Sequence, residues 1–288
     1  MNATMNATAD FQPGLEGVVA AQTRLSHVDG QRGEMILGGY AVEQIAPNAS
    51  FEEVVYLLWH DRLPDAQELA ALGAALAQRR SLPRAAANLL CEIAREQLPA
   101  MDALRMAAGT LDLELSAAER AGDGLALALL ARLPTAIAAW WRLRHGLPPV
   151  APDPALGHAA NYLYMLFGER PSAAAARGLN TYLNTVADHG LNASTFTCRV
   201  ITATRSDLVS AVTGAIGALK GPLHGGAPGP ALDMVFEIGA AERAEAYLRA
   251  KLERGERLMG FGHRIYKVRD PRADVLKCAV ERLGGRGT

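Results

Sequence analysis

Only three cysteines occur in 288 residues, Cys91, Cys198 and Cys278, and no two stand at CxxC spacing. That argues against a disulfide framework and against a cysteine zinc site, and leaves reduced, buried thiols as the expectation. Aromatic residues are scarce at 6%. With Ala and Leu dominant instead, helices are favoured over strands. An excess of charge of either sign is lacking too: the formal net charge is −1. Bulk electrostatics therefore supply no attraction to nucleic acid or to an anionic membrane, and neither is expected as a partner. The longest apolar run, residues 125–131, is far shorter than a bilayer span. The N-terminal MNATMNATAD has neither the basic region nor the apolar core of a secretory signal, and reads as a disordered tail. A cytoplasmic enzyme or binding protein of one or two domains is the expected class.

What is present is mostly helical patterning. Glycines around Asp29-Gly30 and Gly33 predict a small β-hairpin or two. Ser50-Phe-Glu-Glu53 is a capping box that opens a helix ending near Pro64, and Asp65 opens another with Leu69, Leu72 and Leu76 on one face. Residues 83–98 and 101–109 read as further helices. Residues 125–145 predict a long apolar helix, with Pro134 as a kink or a boundary. Residues 159–167, 172–186, 194–220, 231–238, 241–257 and 272–283 continue the pattern. Residues 211–219 are small and apolar nearly all round, so they are expected to be buried, against a second subunit. A change of domain is expected near Gly225-Gly226.

The chemistry concentrates in Met259-Gly-Phe-Gly-His-Arg-Ile-Tyr-Lys-Val-Arg-Asp-Pro-Arg272. Gly260 and Gly262 flank Phe261 and open the backbone to a close visitor. With the basic side chains around them they suit a small polyanion. Asp270-Pro271-Arg272 reads as a helix start, with Asp at N-cap, Pro at N1 and Arg272 in the first turn. His263 titrates near ~6.5 when unperturbed, so it can serve as cation, donor or acid. Two more histidines stand in similar settings: His189 in Asp188-His-Gly-Leu-Asn-Ala-Ser-Thr195, and His224 in Lys220-Gly-Pro-Leu-His-Gly-Gly-Ala-Pro228. Taken singly, a solvated basic loop and a structural histidine are the plainer readings. Three histidines where backbone can approach a ligand favour a site. They lack the short local spacing of zinc ligands, so no metal is expected. Lys220 is followed by Gly221 rather than Ser or Thr, so no P-loop is present.

These three motifs resemble the citrate synthase family in its short bacterial form. Weaker matches at Gly14-Leu-Glu-Gly-Val-Val-Ala20, Ala49-Ser-Phe-Glu-Glu-Val-Val-Tyr-Leu-Leu-Trp59 and Ala159-Ala-Asn-Tyr-Leu-Tyr-Met-Leu166 extend the resemblance over nearly the whole chain. It implies an all-α, two-domain homodimer, with residues 1–223 in a large domain and 224–288 in a small one. It implies condensation of acetyl-CoA with oxaloacetate and water to citrate and CoA, with no cofactor beyond the acyl-CoA substrate. By position, His224 matches the histidine on the thioester carbonyl and His263 the one that polarises the oxaloacetate ketone. His189, Asn192 and Arg272 match residues of the oxaloacetate pocket. Met259, Gly260, Phe261, Gly262, Arg264 and Lys267 match the region where coenzyme A lies.

The sequence also departs from the family pattern. The motif carrying the family's catalytic aspartate is absent, as are later substrate-gripping arginines and closing helices; the chain is expected to be C-terminally truncated. Pro228 stands where Asn is frequent, and Gly38 where Arg is. Asp188 is read as orienting His189, and Asp270 as a helix cap. Two rival readings remain: a 2-methylcitrate synthase using propionyl-CoA, and an impaired paralogue that binds only a ligand or a partner subunit. A plain helical scaffold explains none of the histidine motifs.

Overall fold

The computed structural model describes residues 17–263 and 265–283; the MNAT tail and Arg264 lie outside them. The chain opens with a three-stranded antiparallel sheet in the order β1 (Ser26–Asp29), β2 (Glu34–Leu37) and β3 (Tyr40–Ala41). Ser26 pairs with Leu37 and Asp29 with Glu34. The Asp29 carboxylate accepts from the backbone of Gln31 and Arg32 and closes the turn. Met35 and Leu37 face inward, as the period of two requires. The expected hairpin is therefore present, with one further short strand.

Fourteen helices follow among the described residues: α1 (Val42–Asn48), α2 (Phe51–His60), α3 (Ala66–Gln78), α4 (Arg84–Arg95), α5 (Ala100–Ala108), α6 (Ala117–Arg120) and α7 (Gly124–Arg144) come first. Then come α8 (His158–Phe167), α9 (Ala173–Thr185), α10 (Ala193–Ala203), α11 (Leu208–Leu219), α12 (Pro228–Ile238), α13 (Ala244–Glu253) and α14 (Pro271–Arg282). Ser50 and Asp65 each close a reciprocal capping box, so the local signals hold. The two short helices, α1 and α6, were not legible. Helix α1 has no side-chain cap and carries Pro47; burial of Val42, Ile45 and Ala46 is what holds it. The predicted 194–220 stretch is two helices, because Arg205 turns left-handed (φ 63) and Asp207 caps a new start.

Helix α7 is the centre of the main core. Its Leu129, Ala136 and Trp140 pack with Leu90 and Ile93 of α4 and with Ala103 and Ala107 of α5. Pro134 lies inside it without ending it. By length and composition α7 could cross a bilayer, a point the 125–131 run did not disclose, but more than half of its apolar stretch is buried in this fold. Two buried arginines on it also cap loop carbonyls: Arg132 donates to Leu111 O at 2.5 Å and Arg142 to Pro148 O at 2.7 Å. Both deviations from the sequence expectation at the family-variable positions have a packing cause. Pro228 is the first residue of α12, where its missing N–H costs nothing. Gly38 sits at φ 55 with Leu57 carbons 2.7–3.2 Å from where a Cβ would be, so an arginine has no room there.

Helix α9 leads into the His189 loop and is tied to the start of the chain. Asn180 donates to Ala49 O and accepts from Phe51 N, and the buried Asn184 donates to Ala46 O and Ala49 O. These bonds tie the α1–α2 junction to α9, whose C-terminus leads straight into His189. Helix α14 also packs on α1 and α9. One expectation fails: none of the cysteines is buried, for Cys91 and Cys198 are half-covered and Cys278 is exposed. Along α11, Ala211 and Ile216 are buried within the single chain. Helix α12 leaves Leu232, Val235 and Phe236 exposed.

Candidate active site

His189 lies on the loop between α9 and α10. Asp188 Oδ1 accepts from Ser26 Oγ at 2.5 Å and from Gly190 N at 3.0 Å, and Gly190 N also donates to Ser26 Oγ at 2.9 Å. Asp188 therefore does not bond the imidazole beside it. It fixes the loop to β1, and orients His189 only through the backbone.

His263 lies on the loop before α14. Gly260 and Gly262 both have φ near +85, which turns the chain on either side of the exposed Phe261. The β1–β2 turn supports this loop from below: Lys267 N donates to Gly30 O at 2.8 Å, and a Cβ on Gly30 would fall 2.1 Å from Ile265 O. Strand β1 and the turn after it thus brace the two histidine loops, Ser26 holding one and Gly30 the other. Asp270 caps α14 as expected, accepting from Arg272 N at 3.0 Å. It also takes the Arg272 guanidinium in a fork, Nε at 3.0 Å and Nη2 at 2.6 Å. The fork uses one edge of the guanidinium; the Nη1 edge is the one able to grip a carboxylate.

Three of the expected residues converge. The His189 and His263 rings stand 5.6 Å apart, edge to face. Tyr266 fills the corner between them, 5.7 Å from His189 and 4.8 Å from His263, with Arg272 Cζ 6.0 Å from its ring. Burial, and then the charge of Arg272, push His189 down to about 4 and hold His263 below its usual range. Both imidazoles are neutral at pH 7. His263 Nδ1 accepts from Ile265 N at 3.1 Å and Tyr266 N at 3.2 Å. A nitrogen that accepts carries no proton, so His263 is the Nε2–H tautomer and points a neutral donor away from its own backbone. Burial pushes the Tyr266 phenol up to about 12. Burial also opposes ionisation of Asp270, but the bonds and charge of Arg272 outweigh it and lower that carboxyl overall.

His224 belongs to a second, neighbouring group. The turn before it is tight: His224 N and Gly226 N both reach Gly221 O, and a Cβ on Gly226 would crowd Lys220 O at 2.8 Å. Ser194 Oγ lies 2.8 Å from His224 Nε2 and 2.8 Å from Asn192 Oδ1, which also caps α10 through Thr195 N. The single Ser194 proton serves one of these two acceptors. Given to His224 Nε2, it leaves the imidazole with its own N–H on Nδ1. Among the described residues no hydrogen bond or ring contact joins His224 to His189, His263 or Arg272. The exposed Met259–Gly262 backbone and Lys267 adjoin His263 along the chain, and Arg264 falls outside the described residues.

Sequence reasoning missed three participants. Ser194 was inside a recognised motif, and only its spacing to Asn192 hinted at a role. Tyr266 stood inside the basic stretch without an assigned role, although an aromatic hydroxyl between two basic residues is a usable signal. Ser26 gave none, because its partner Asp188 is 162 residues away.

A family model described as citrate synthase, C-terminal domain, matches residues 14–288. Citrate synthase 2 of Bacillus subtilis is 46% identical over 274 residues, covering 94% of this chain and 73% of its own. The 2-methylcitrate synthase of Mycobacterium tuberculosis is 43% identical over 286 residues, covering 98% and 72%. Among solved structures, the ternary complex of carboxymethyl coenzyme A and oxaloacetate with citrate synthase from Thermoplasma acidophilum superposes with a TM-score of 0.83. It is 32% identical, covering 96% of this chain and 73% of that one. The fold, the ordered histidine motifs and these relatives agree: the chain belongs to the citrate synthase family and is an acyltransferase of that type.

Proposed function

We propose that the chain condenses acetyl-CoA with oxaloacetate, and that the observation carrying this reading is the pair of neutral histidines, His189 and His263, set against the Arg272 guanidinium. A dicarboxylate with a central ketone matches that arrangement. Its carboxylates meet Arg272 and the His189 N–H, and its ketone oxygen meets His263 Nε2–H. A neutral donor does not give its proton away before charge develops, and it is strongest on an oxygen that becomes anionic. The Thermoplasma acidophilum relative binds oxaloacetate and a coenzyme A analogue, which supports the same pair of ligands here.

The chemistry then runs in two stages. The acetyl-CoA methyl loses a proton to a base, and the thioester oxygen takes up negative charge beside the imidazole of His224, which Ser194 holds through Nε2. The enol carbon forms the new C–C bond to the ketone carbon, whose oxygen is protonated to the alcohol. Water next cleaves the thioester, and citrate and CoA thiol leave. The exposed Met259–Gly262 backbone, Lys267 and Arg264 are assigned to coenzyme A, whose phosphates suit basic groups and bare N–H donors.

A homodimer, and the division into a large domain to residue 223 and a small one after it, go with this reading. The dimer is supported by an apolar groove of about 320 Å³ between α2, α7 and α11, lined by Val55, Leu58, Trp59, Leu133, Leu208 and Val212. Light scattering should return twice the chain mass, 61 kDa from 2 × 30.5; a folded monomer at micromolar concentration contradicts it.

The 2-methylcitrate reading stands beside it because a relative of that name is 43% identical, against 46% for citrate synthase 2 of Bacillus subtilis. One methylene changes affinity by only ~1–3 kcal/mol. Incubation with oxaloacetate and either carbon-13-labelled acetyl-CoA or propionyl-CoA, followed by mass spectrometry, separates the two. Labelled citrate as the main product supports the primary reading; methylcitrate in excess replaces it; neither product from either thioester overturns both.

A further inference from the structure

Tyr266 is 4% exposed, and among the described residues its hydroxyl has one hydrogen-bond partner, His189 Nε2 at 3.2 Å. A phenol carries one proton, and a buried hydroxyl proton needs an acceptor. His189 is neutral, so only one of its two nitrogens carries hydrogen. If that nitrogen were Nε2, the imidazole N–H would occupy the phenol oxygen and the phenol proton would be left without an acceptor among the described residues. Ser194 shows the contrast: with both Asn192 and His224 in reach, its own geometry leaves the choice open.

We infer that Tyr266 is a positioning residue that donates its hydroxyl proton to His189 Nε2 and thereby fixes His189 as the Nδ1–H tautomer. The same residue acts on the second histidine through its backbone, because Tyr266 N donates to His263 Nδ1. With Ile265 N sharing the bond to His263, the two histidines are set to opposite tautomers: His189 presents Nδ1–H and His263 presents Nε2–H. Both then offer N–H donors, the form that an anionic substrate requires. Without the phenol, His189 would revert to the Nε2–H form that a free imidazole side chain favours in water. The nitrogen facing an incoming carboxylate would then be a lone pair.

The assignment of His189 to a substrate carboxylate rests on the function proposed above; the tautomer does not. Nitrogen-15 histidine labelling of the full chain, with His189 assigned by loss of its signals in His189→Gln, reads the protonated nitrogen directly. The wild type should show His189 protonated on Nδ1 and His263 on Nε2. Tyr266→Phe keeps the ring and its packing, and should move His189 to mainly Nε2–H while leaving His263 unchanged. Oxaloacetate affinity in that variant should fall ~10-fold, the loss of one hydrogen bond. A wild-type His189 protonated on Nε2, or a tautomer unmoved by Tyr266→Phe, overturns the inference. A tautomer that moves with no change in oxaloacetate affinity upholds it, and removes His189 from the substrate site instead. Should Tyr266→Phe fail to fold, the wild-type spectrum alone decides.

Discussion

Ser26 on β1 and Asp188 on the loop after α9 share a hydrogen bond of 2.5 Å, across 162 residues of chain. Gly190 N closes the group by donating to both. A strand that contributes no expected substrate contact thereby holds the loop that carries His189. Ser26→Ala removes the anchor and leaves a part-buried carboxylate with Gly190 N alone. Stability should fall by ~1–2 kcal/mol, read from urea unfolding. Oxaloacetate affinity should fall several-fold with it, as the loop loosens. Unchanged affinity at reduced stability would show that the loop holds His189 without β1.

His158 predicts how stability depends on pH. It is 5% exposed and its ring stacks on Phe51 at 4.6 Å. Its backbone N donates to the Glu52 carboxylate at 2.7 Å. Burial, and then the Arg80 charge, push it down to about 4 from 6.5. Between those values the unfolded chain binds the proton and the folded one does not, so stability increases with pH through that window. It is complete above about 6.5 and is lost as pH falls toward 4. The loss attributable to His158 is on the order of 3 kcal/mol. Denaturation at pH 7 and pH 5 should show part of it, and His158→Phe, which keeps the stack, should flatten the curve. His189, lowered in the same direction, adds to the slope that remains in that variant. A wild type equally stable at both pH values contradicts the burial argument.

The proton acceptor gives a third prediction. The two carboxylates beside the histidines are already engaged, Asp188 by Ser26 and Gly190, and Asp270 by the Arg272 fork. Among the described residues neither they nor any other carboxylate bonds the His224 group. A positioned base contributes ~10²–10⁴-fold. Asp188→Asn or Asp270→Asn should slow thiol release by that factor if substrate binding frees that carboxylate to act; unchanged thiol release in both variants would place the base outside this pair.

Much of this was legible before any coordinates. The Ser50 and Asp65 capping boxes, the Asp270-Pro271-Arg272 start of α14 and the hairpin at Gly30 are local signals, and each is where the sequence put it. The histidine motifs were readable because glycine-rich turns with charged neighbours are uncommon in plain structural loops. What stayed hidden is non-local. Helix α1 is held by burial of its own Val42, Ile45 and Ala46 and by Asn184 of α9 on the Ala46 carbonyl, not by a local start or stop signal in residues 42–48. Ser26 and Tyr266 act on residues 162 and 77 positions away, and no spacing rule spans such distances. The split of residues 194–220 turned on one left-handed residue, Arg205, which no breaker announces.

The central claim is that His263 and Arg272 hold oxaloacetate, and titration calorimetry on the full chain tests it most directly. Arg272→Leu removes the guanidinium; the helix start keeps its Asp270 cap, because the capped group is the backbone N of residue 272. His263→Ala removes the Nε2–H donor. A charged hydrogen bond is worth ~1.5–3 kcal/mol, so each variant should bind oxaloacetate ~10- to 150-fold more weakly with its helical circular dichroism unchanged. Affinity equal to wild type in both folded variants would place oxaloacetate elsewhere and contradict the account.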